Sequence, residues 1–326
     1  MESKESPLFW PAYIENKTLF VLDETLIPVK VKYIAVKDTK QAVAVIREMK
    51  TRAFGQFLVV LNTFLIELAR NPGLAPAKVV KKMEGTAKAL NSSRPTFPFG
   101  DVTSIVVGWA HGAVKDNKDI YAFLQENIQG FLKGIRYRRM ERVAKIAALI
   151  KNGDSVLTHC NVSGELAMAA AICLKENKKV RFYATETRPY FQGAKLTAWE
   201  LNAVGAQITL IPDNAVGSLM AERLVNRVII GSDRSCANGD IANKIGSYQI
   251  AVLAKEFGVP LCVLTQPSNT IKKGSDIPIE LRDPKELLNY QGKKTYAGQV
   301  KGFYPGFDVV PHELITETIA IQAGAR

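Results

Sequence analysis

The second half of the chain is punctuated by five short runs of β-branched and apolar residues: Ser155-Val-Leu-Thr-His-Cys160, Val180-Arg-Phe-Tyr-Ala-Thr-Glu186, Ile208-Thr-Leu-Ile-Pro-Asp213, Arg227-Val-Ile-Ile-Gly-Ser-Asp233 and Pro260-Leu-Cys-Val-Leu-Thr-Gln266. Helix-like segments separate them. Runs of this length, alternating with helices, predict βαβ units and a parallel sheet buried on both faces. Each run ends in a polar or reactive residue, in turn Cys160, Glu186, Asp213, Asp233 and Gln266. A polar residue often does no more than mark where a strand stops, and for any one run that is the commoner reason. Five in succession point instead to a shared rim, because ligands of open α/β sheets gather beyond the carboxyl ends of the strands.

The first half reads differently. Leu19-Phe-Val-Leu-Asp and Val29-Lys-Val-Lys-Tyr-Ile-Ala-Val, around a turn at Asp23-Glu-Thr, predict a small β-hairpin. From Asp38 the apolar period changes to that of a helix, placing Ala42, Val43, Ile46 and Met49 on one stripe behind an Asp or Thr cap. Further helices are predicted from about Phe54 to Arg70, ending at Asn71-Pro-Gly, and from about Pro76 to Leu90, ending at Asn91-Ser-Ser. Ser93-Arg-Pro-Thr-Phe-Pro-Phe-Gly100 reads as a rigid turn displaying Arg94, and more helix follows. Asp119 to Lys151 is one long helical stretch with apolar spacing at Ile128, Phe131, Ile135, Val143, Ile146, Ala147 and Ile150, suited to joining two domains. The expected architecture is α/β: a smaller, mainly helical N-terminal domain over 1–118 carrying the hairpin, a connecting helix over 119–151, and a Rossmann-like parallel-sheet domain over 152–326.

Within that last domain Ser163 to Lys175 predicts a helix whose first turn would point its amides towards Cys160. The segment from Gly231 to Asp240 joins a buried strand to a helix expected from Ile241 to Phe257. Gly239 permits a tight turn, and the helix N-terminus with Asn243 and Lys244 could seat a phosphate. An ordinary helix with Asp240 as its N-cap accounts for the same residues equally well.

Composition narrows the field modestly. The chain has 326 residues, 47% hydrophobic and 23% charged, enough for a large core and two domains. A net charge of +12 suits an anionic ligand, a nucleic acid or simply a solvated surface. The densest basic cluster, Arg136-Tyr-Arg-Arg139 with Arg142 and Lys145, lies on a helix and reads as a solvated face rather than a nucleic-acid groove. The first seven residues hold no apolar signal core, so a cytoplasmic location is expected. The apolar run from Phe57 to Ala69 is too short to cross a bilayer and is expected to be a buried helix, so no membrane partner is expected. Cys160, Cys173, Cys236 and Cys262 show no CxxC pair and no zinc spacing with the histidines, so they are read as reduced thiols and no metal is expected. Neither a Walker loop nor a GxGxxG turn is present, so neither ATP nor NAD is indicated.

Leu157-Thr-His-Cys-Asn161, Glu186-Thr-Arg-Pro-Tyr-Phe-Gln-Gly-Ala-Lys-Leu-Thr-Ala-Trp-Glu-Leu201, Gly231-Ser-Asp-Arg234, Asn238-Gly-Asp-Ile-Ala-Asn-Lys-Ile-Gly-Ser-Tyr248 and Phe307-Asp-Val-Val-Pro-His-Glu-Leu-Ile315 together resemble the methylthioribose-1-phosphate isomerase family. Its superfamily also holds ribose-1,5-bisphosphate isomerase and the regulatory subunits of translation initiation factor 2B. The resemblance implies an aldose–ketose isomerase acting on a sugar that carries phosphate at its anomeric carbon, most simply S-methyl-5-thioribose 1-phosphate, without a cofactor and as a homodimer. It implies Cys160 and Asp233 as catalytic residues, and Gln192, Asn243, Lys244, Arg94, Arg52 and Ala53 on the ligand side. Where the family usually has Arg-Gly-Ala-Pro this chain has Arg52-Ala-Phe-Gly, a change that bears on the group carried at carbon 5.

Such a substrate cannot open through a free anomeric hydroxyl, so an acid is needed at the ring oxygen. Asp233 fits, since a carboxyl at a buried strand end can stay protonated near neutrality; a lone Asp would more often form a salt bridge, here with Arg234 or Arg188. Cys160 could then serve as a thiolate base at carbon 2, or only shape the pocket while hydrogen migrates as hydride; an isolated cysteine is more often a packed core thiol. Arg94 and Lys244 would hold the phosphate and Gln192 a sugar hydroxyl. Glu186 and Arg188 are expected behind these contacts, Arg188 orienting carboxylates. His159 should point to the opposite face of its strand from Cys160 and pack there. The alternatives are a ribose-1,5-bisphosphate or 5-deoxyribose-1-phosphate isomerase, and a noncatalytic regulatory subunit related to initiation factor 2B.

Overall fold

A computed structural model describes residues 5–95, 97, 99–266, 271–290 and 292–321. Thr96 and Pro98 of the turn expected at 93–100, Pro267 and the first four residues lie outside the described residues. The chain divides into two compact units, Pro7–Tyr137 and the remaining residues.

In the first unit, β1 (Ala12–Glu15), β2 (Thr18–Leu22) and β3 (Tyr33–Val36) form an antiparallel sheet in that order. The expected hairpin is its β2–β3 half, shortened because Asp23 caps a 3-10 turn over Glu24–Leu26, its carboxylate accepting from the Thr25 amide at 3.1 Å. Strand β1 was not expected. It turns into β2 through Asn16 and Lys17, both with positive φ, which matches the twist of a two-residue hairpin. Helix α1 (Thr39–Arg47) starts at Asp38, whose carboxylate accepts from the Gln41 amide at 2.8 Å. Its buried stripe is Ala42, Val45 and Ile46, so Val45 takes the place expected for Val43, and Met49 lies beyond the helix. Helix α2 (Ala53–Arg70) is the centre of this core, with Leu58, Val59, Val60, Leu61, Phe64 and Ile66 buried. By length and composition it could cross a membrane, yet 72% of its apolar window is buried inside the fold. Its buried Asn62 and Thr63 return their side-chain donors to the carbonyls of Leu58 and Val59, at 2.8 and 2.6 Å. Helices α3 (Pro76–Asn91), α4 (Phe99–Lys115) and α5 (Ile120–Leu149) follow, the last with residues in both units.

The second unit carries all five expected strands: β4 (Ser155–Thr158), β5 (Arg181–Thr185), β6 (Gln207–Ile211), β7 (Arg227–Ile230) and, after two short strands and a helix given below, β10. Between them lie α6 (Glu165–Lys175), α7 (Trp199–Ala203) and α8 (Val216–Ala221). The short strands are β8 (Arg234–Ser235) and β9 (Ile241–Lys244); α9 (Ser247–Glu256) leads into β10 (Leu261–Thr265). A strap then holds α10 (Pro284–Leu288), β11 (Asn289–Tyr290) and β12 (Lys293–Lys294), before β13 (Phe307–Val310) and β14 (Glu317–Ala320). The main sheet is parallel, in the order β6-β5-β4-β7-β10-β14. This is a doubly wound arrangement whose strand order reverses between β4 and β7, where ligands of such sheets bind.

Two expectations fail here. The segment Ile241 to Lys244 is strand, not helix: its four residues are buried and paired antiparallel with β13 on one side and β8 on the other. Asp240 is therefore no helix cap. The basic cluster on α5 is only in part a solvated face: Lys145 is exposed, but Arg139 and Arg142 are only 3% and 5% exposed. Both clamp the buried carboxylate of Glu165, Arg142 through Nε at 2.5 Å and Nη2 at 2.6 Å, Arg139 through Nη1 at 3.0 Å.

Candidate active site

Cys160 follows β4 by two residues and sits at the switch point. Its φ of +61° is left-handed, and Ser163 and Gly164 in the same loop also have positive φ. Such backbone costs a non-glycine residue of order 1 kcal/mol or more and persists only when its surroundings fix it. They do so here. The Cys160 amide donates to Thr187 Oγ1 at 3.0 Å, and its carbonyl accepts from Thr197 Oγ1 at 2.5 Å. Ser163 donates its amide to Asn161 Oδ1 at 2.9 Å and its carbonyl accepts from buried Arg139 at 2.7 Å. Helix α6 starts only at Glu165, two residues later than expected, and the Glu165 amide donates to Val162 O within the loop. His159 packs as expected: its Nε2–H donates to Ile245 O at 2.8 Å and Nδ1 accepts from Thr185 at 2.6 Å, while burial pushes its pKa down. That leaves a neutral ring with both nitrogens used.

Asp233 lies three residues past β7, the neighbour of β4 in the sheet. The register pairs Leu157 with Val228, so by extension Cys160 is level with Gly231. A Cβ at Gly231 would approach Val162 Cγ1 to 3.2 Å, so the two loops pack directly against each other. Asp233 is fixed by its amide, which donates to Ala242 O at 2.9 Å, and the preceding Ser232 carbonyl accepts from Gln266 Nε2 at 3.0 Å. The loops that carry Cys160 and Asp233 thus meet beyond the carboxyl ends of β4 and β7.

Asn243 and Lys244 reach this rim from β9. Asn243 is held by Ser247 Oγ at 2.8 Å. Lys244 is 7% exposed, and its ammonium lies 4.8 Å from the Phe307 ring centre and 5.7 Å from that of Tyr190. Among the described residues no carboxylate forms an ion pair with it. A buried ammonium facing aromatic rings alone is short of a counter-ion and suits an anionic ligand. The amides opening α9 are not free for that anion as expected. Asp308 occupies them, accepting from Gly246 N at 2.6 Å and Tyr248 N at 3.1 Å.

The turn after β5 completes the wall. Asp213, at the end of β6, accepts from the amides of Thr187 and Arg188 at 2.7 Å each. The Arg188 side chain lies over Phe191 and Tyr290 and donates to Leu287 O at 3.3 Å, so it anchors the strap rather than orienting carboxylates. Glu186 contributes backbone bonds to Ile211 O and from Ala194 N. Gln192 opens a π-helical turn, Gly193–Ala198, of the kind found at functional sites, and its Oε1 is buried without a hydrogen-bond partner. Gly193 is obligatory, because a Cβ there would overlap Thr185 O at 1.8 Å. Tyr190 is tied to the strap, donating to Glu286 and accepting from Arg282; burial, then the bond to Glu286, pushes its pKa up to about 12. Tyr304, at the far end of the strap, has a buried hydroxyl without a partner. Tyr190 lies inside the quoted 186–201 motif without a role assigned to it, and Tyr304 lies outside every quoted motif, since nothing in the spacing of 280–306 shows that Arg282 and Glu286 meet Tyr190.

Arg52, Ala53 and Arg94 lie in the other unit, where the structure brings them to one turn at the start of α2. Arg52 Nε pairs with Glu24 Oε2 at 2.5 Å, its carbonyl accepts from the Gln56 amide at 2.8 Å, and Arg94 Nη1 donates to Gln56 Oε1 at 3.0 Å. Ala53 is the first residue of α2 and is half-buried.

Asp240, His312 and Glu313 bring possible metal ligands within 4.8 Å of one another. The Asp240 carboxylate is already used, accepting from Gly274 N at 2.9 Å, His312 N at 3.0 Å and His312 Nδ1 at 3.0 Å. Burial alone would raise the Asp240 pKa, but these bonds and one to Asn238 hold it well below the usual carboxylate range. A depressed carboxyl stabilises the fold above its unfolded pKa of about 4 and loses that contribution as pH falls through the folded value. Asp240→Asn is therefore expected to destabilise the protein by about 1–2 kcal/mol at pH 6. Thermal unfolding from pH 7 down to pH 2 should show the gap between variant and parent narrowing only below about pH 4; a gap constant with pH would contradict this.

A profile of the Initiation factor 2 subunit family matches residues 55–322. The chain is 36% identical to the methylthioribose-1-phosphate isomerase of Thermosipho africanus, over 92% of this chain and 90% of that protein. Among solved structures it is similar to 5-methylthioribose 1-phosphate isomerase from Pyrococcus horikoshii, with 27% identity, a TM-score of 0.84 and coverage of 98% and 95% of the two chains. It is also similar to translation initiation factor eIF-2B, subunit delta, from A. fulgidus, with 26% identity, a TM-score of 0.83 and coverage of 96% and 94%.

Proposed function

From its place in the Initiation factor 2 subunit family, to which the chain belongs, we propose that it is an aldose–ketose isomerase converting S-methyl-5-thioribose 1-phosphate to the ribulose 1-phosphate. The relatives' activity supports the reaction class. What supports the reading in this chain is the buried Lys244 ammonium, with which no carboxylate forms an ion pair among the described residues, on the strand whose Ala242 carbonyl holds the Asp233 amide. A ligand phosphate supplies the missing negative charge, with Asn243 beside it.

The chemistry follows from the groups at hand. Asp233 donates a proton to the ring oxygen as the bond from that oxygen to carbon 1 breaks, leaving a hydroxyl on carbon 4. Hydrogen then passes from carbon 2 to carbon 1 under the control of Cys160. The carbon-2 hydroxyl gives up its proton to the Asp233 carboxylate, so the acid is restored and the product is a ketone. Gln192 Oε1, buried without a partner, accepts from a sugar hydroxyl. No cofactor takes part in this scheme, and the working form is a cytoplasmic homodimer.

The test is turnover of purified protein with S-methyl-5-thioribose 1-phosphate, ribose 1,5-bisphosphate and 5-deoxyribose 1-phosphate, with ketose as the readout. Conversion of the first is expected. Preference for the bisphosphate would reassign the substrate, and inertness towards all three would favour the regulatory reading.

A further inference from the structure

We propose that Tyr304 is a substrate-contacting residue of this site, its hydroxyl donating a hydrogen bond to the sugar oxygen on which charge develops as hydrogen leaves carbon 2. The inference rests on the isomerase reading above and adds a residue to it.

Tyr304 is 4% exposed, and its hydroxyl has no hydrogen-bond partner. A buried hydroxyl without a partner has lost its water and gained nothing in return, a cost that a ligand oxygen would relieve. A second orphaned atom, Gln192 Oε1, belongs to the turn that Tyr190 also occupies, and the Tyr190 and Tyr304 rings are 6.3 Å apart. The two tyrosines differ in one respect. Tyr190 spends its hydroxyl on Glu286 and Arg282, whereas Tyr304 holds its own in reserve.

The position of Tyr304 is fixed by backbone. Its carbonyl accepts from Arg282 N at 2.9 Å, Pro305 bridges to Leu281, and Gly306 N donates to Glu280 O at 2.8 Å. Three residues further on, Phe307 pairs with Lys244, the proposed phosphate partner. Burial, then the charges of Tyr190 and Glu286, with a further contribution from Cys160, push the Tyr304 phenol above its ordinary pKa, so it stays neutral and serves as a donor. A fixed donor in a water-poor site acts most strongly on charge that appears during the reaction.

Tyr304→Phe removes one oxygen and keeps the ring. On S-methyl-5-thioribose 1-phosphate, kcat is expected to fall about a hundredfold and KM to rise severalfold, because the hydroxyl gains a partner on binding and a stronger one in the transition state. The thermal midpoint should stay level or rise, because no folded-state hydrogen bond is lost; a structural hydroxyl would lower it. A kcat within about threefold of the parent overturns the proposal. If the parent itself turns over none of the sugars, the isomerase reading fails separately, and calorimetry with ribose 1-phosphate decides the contact: weaker binding by Tyr304→Phe supports it, and equal binding overturns it.

Discussion

Cys160→Ser and Asp233→Asn are each expected to lower kcat on S-methyl-5-thioribose 1-phosphate by at least about a hundredfold, the usual scale for losing an acid–base group. Neither change should disturb the fold. Serine has nearly the shape of cysteine, and the left-handed turn at 160 is held by backbone bonds to Thr187 and Thr197 that the substitution leaves alone. Asp233 is placed by its amide bond to Ala242 O, which the side-chain change also spares. Matching thermal midpoints with collapsed turnover would separate chemistry from structure, and near-parental rates in either variant would remove that residue from the mechanism. Running the parent enzyme in D2O divides the two routes for hydrogen transfer: deuterium at carbon 1 of the ketose means that Cys160 or another base exchanged the proton with solvent, and its absence means a direct shift.

The second large effect concerns stability. Glu165 is fully buried between Arg139 and Arg142, and Arg142 also donates to Thr265 O at the end of β10. Glu165→Gln would leave two buried guanidinium groups facing a neutral amide. Burial already lowers the Arg139 pKa to about 10 despite the neighbouring Glu165. Breaking a buried ion pair from one side costs about 3–5 kcal/mol, a large share of the roughly 5–15 kcal/mol that keeps a protein folded. Replacing all three residues together by apolar side chains should cost less than the single change, because no uncompensated charge then remains. Denaturant unfolding of the single and triple variants gives the comparison, and a single-variant loss below about 1 kcal/mol would show that water reaches the cluster. Arg139 also holds the Ser163 carbonyl, so loosening the cluster should relax the loop that presents Cys160.

The strands and helices most legible in the sequence were those whose evidence is local. Five apolar runs became β4, β5, β6, β7 and β10, of which β4, β7 and β10 are buried almost throughout as expected, whereas the edge strand β6 leaves Leu210 49% exposed and was legible only from its β-branched composition; α1 to α3 announced themselves by caps and periodicity. Ile241 to Lys244 misled for a physical reason: the apolar helix that begins at Ser247 supplies the period, while the strand character of β9 comes from β13, more than 60 residues further along the chain. Arg139 and Arg142 were misread because a helical charge run is usually solvated, and the one residue that changes this, Glu165, lies on another helix. The candidate catalytic pair could be named from strand ends and motif resemblance. Tyr304, the strap that carries it and the meeting of that strap with Tyr190 could not, since they depend on a fold-back with no sequence period.

The place of β14 has a consequence for how the molecule is made. This outermost strand pairs in parallel with β10, Cys262 beside Glu317 and Thr265 beside Ala320, across more than 50 residues. While the ribosome is still translating that interval, a nascent chain can already contain β10 with its outer hydrogen-bonding groups uncovered. Such an open edge invites pairing with another chain, so growing polypeptides stalled before residue 317 should be the ones that depend most on chaperones.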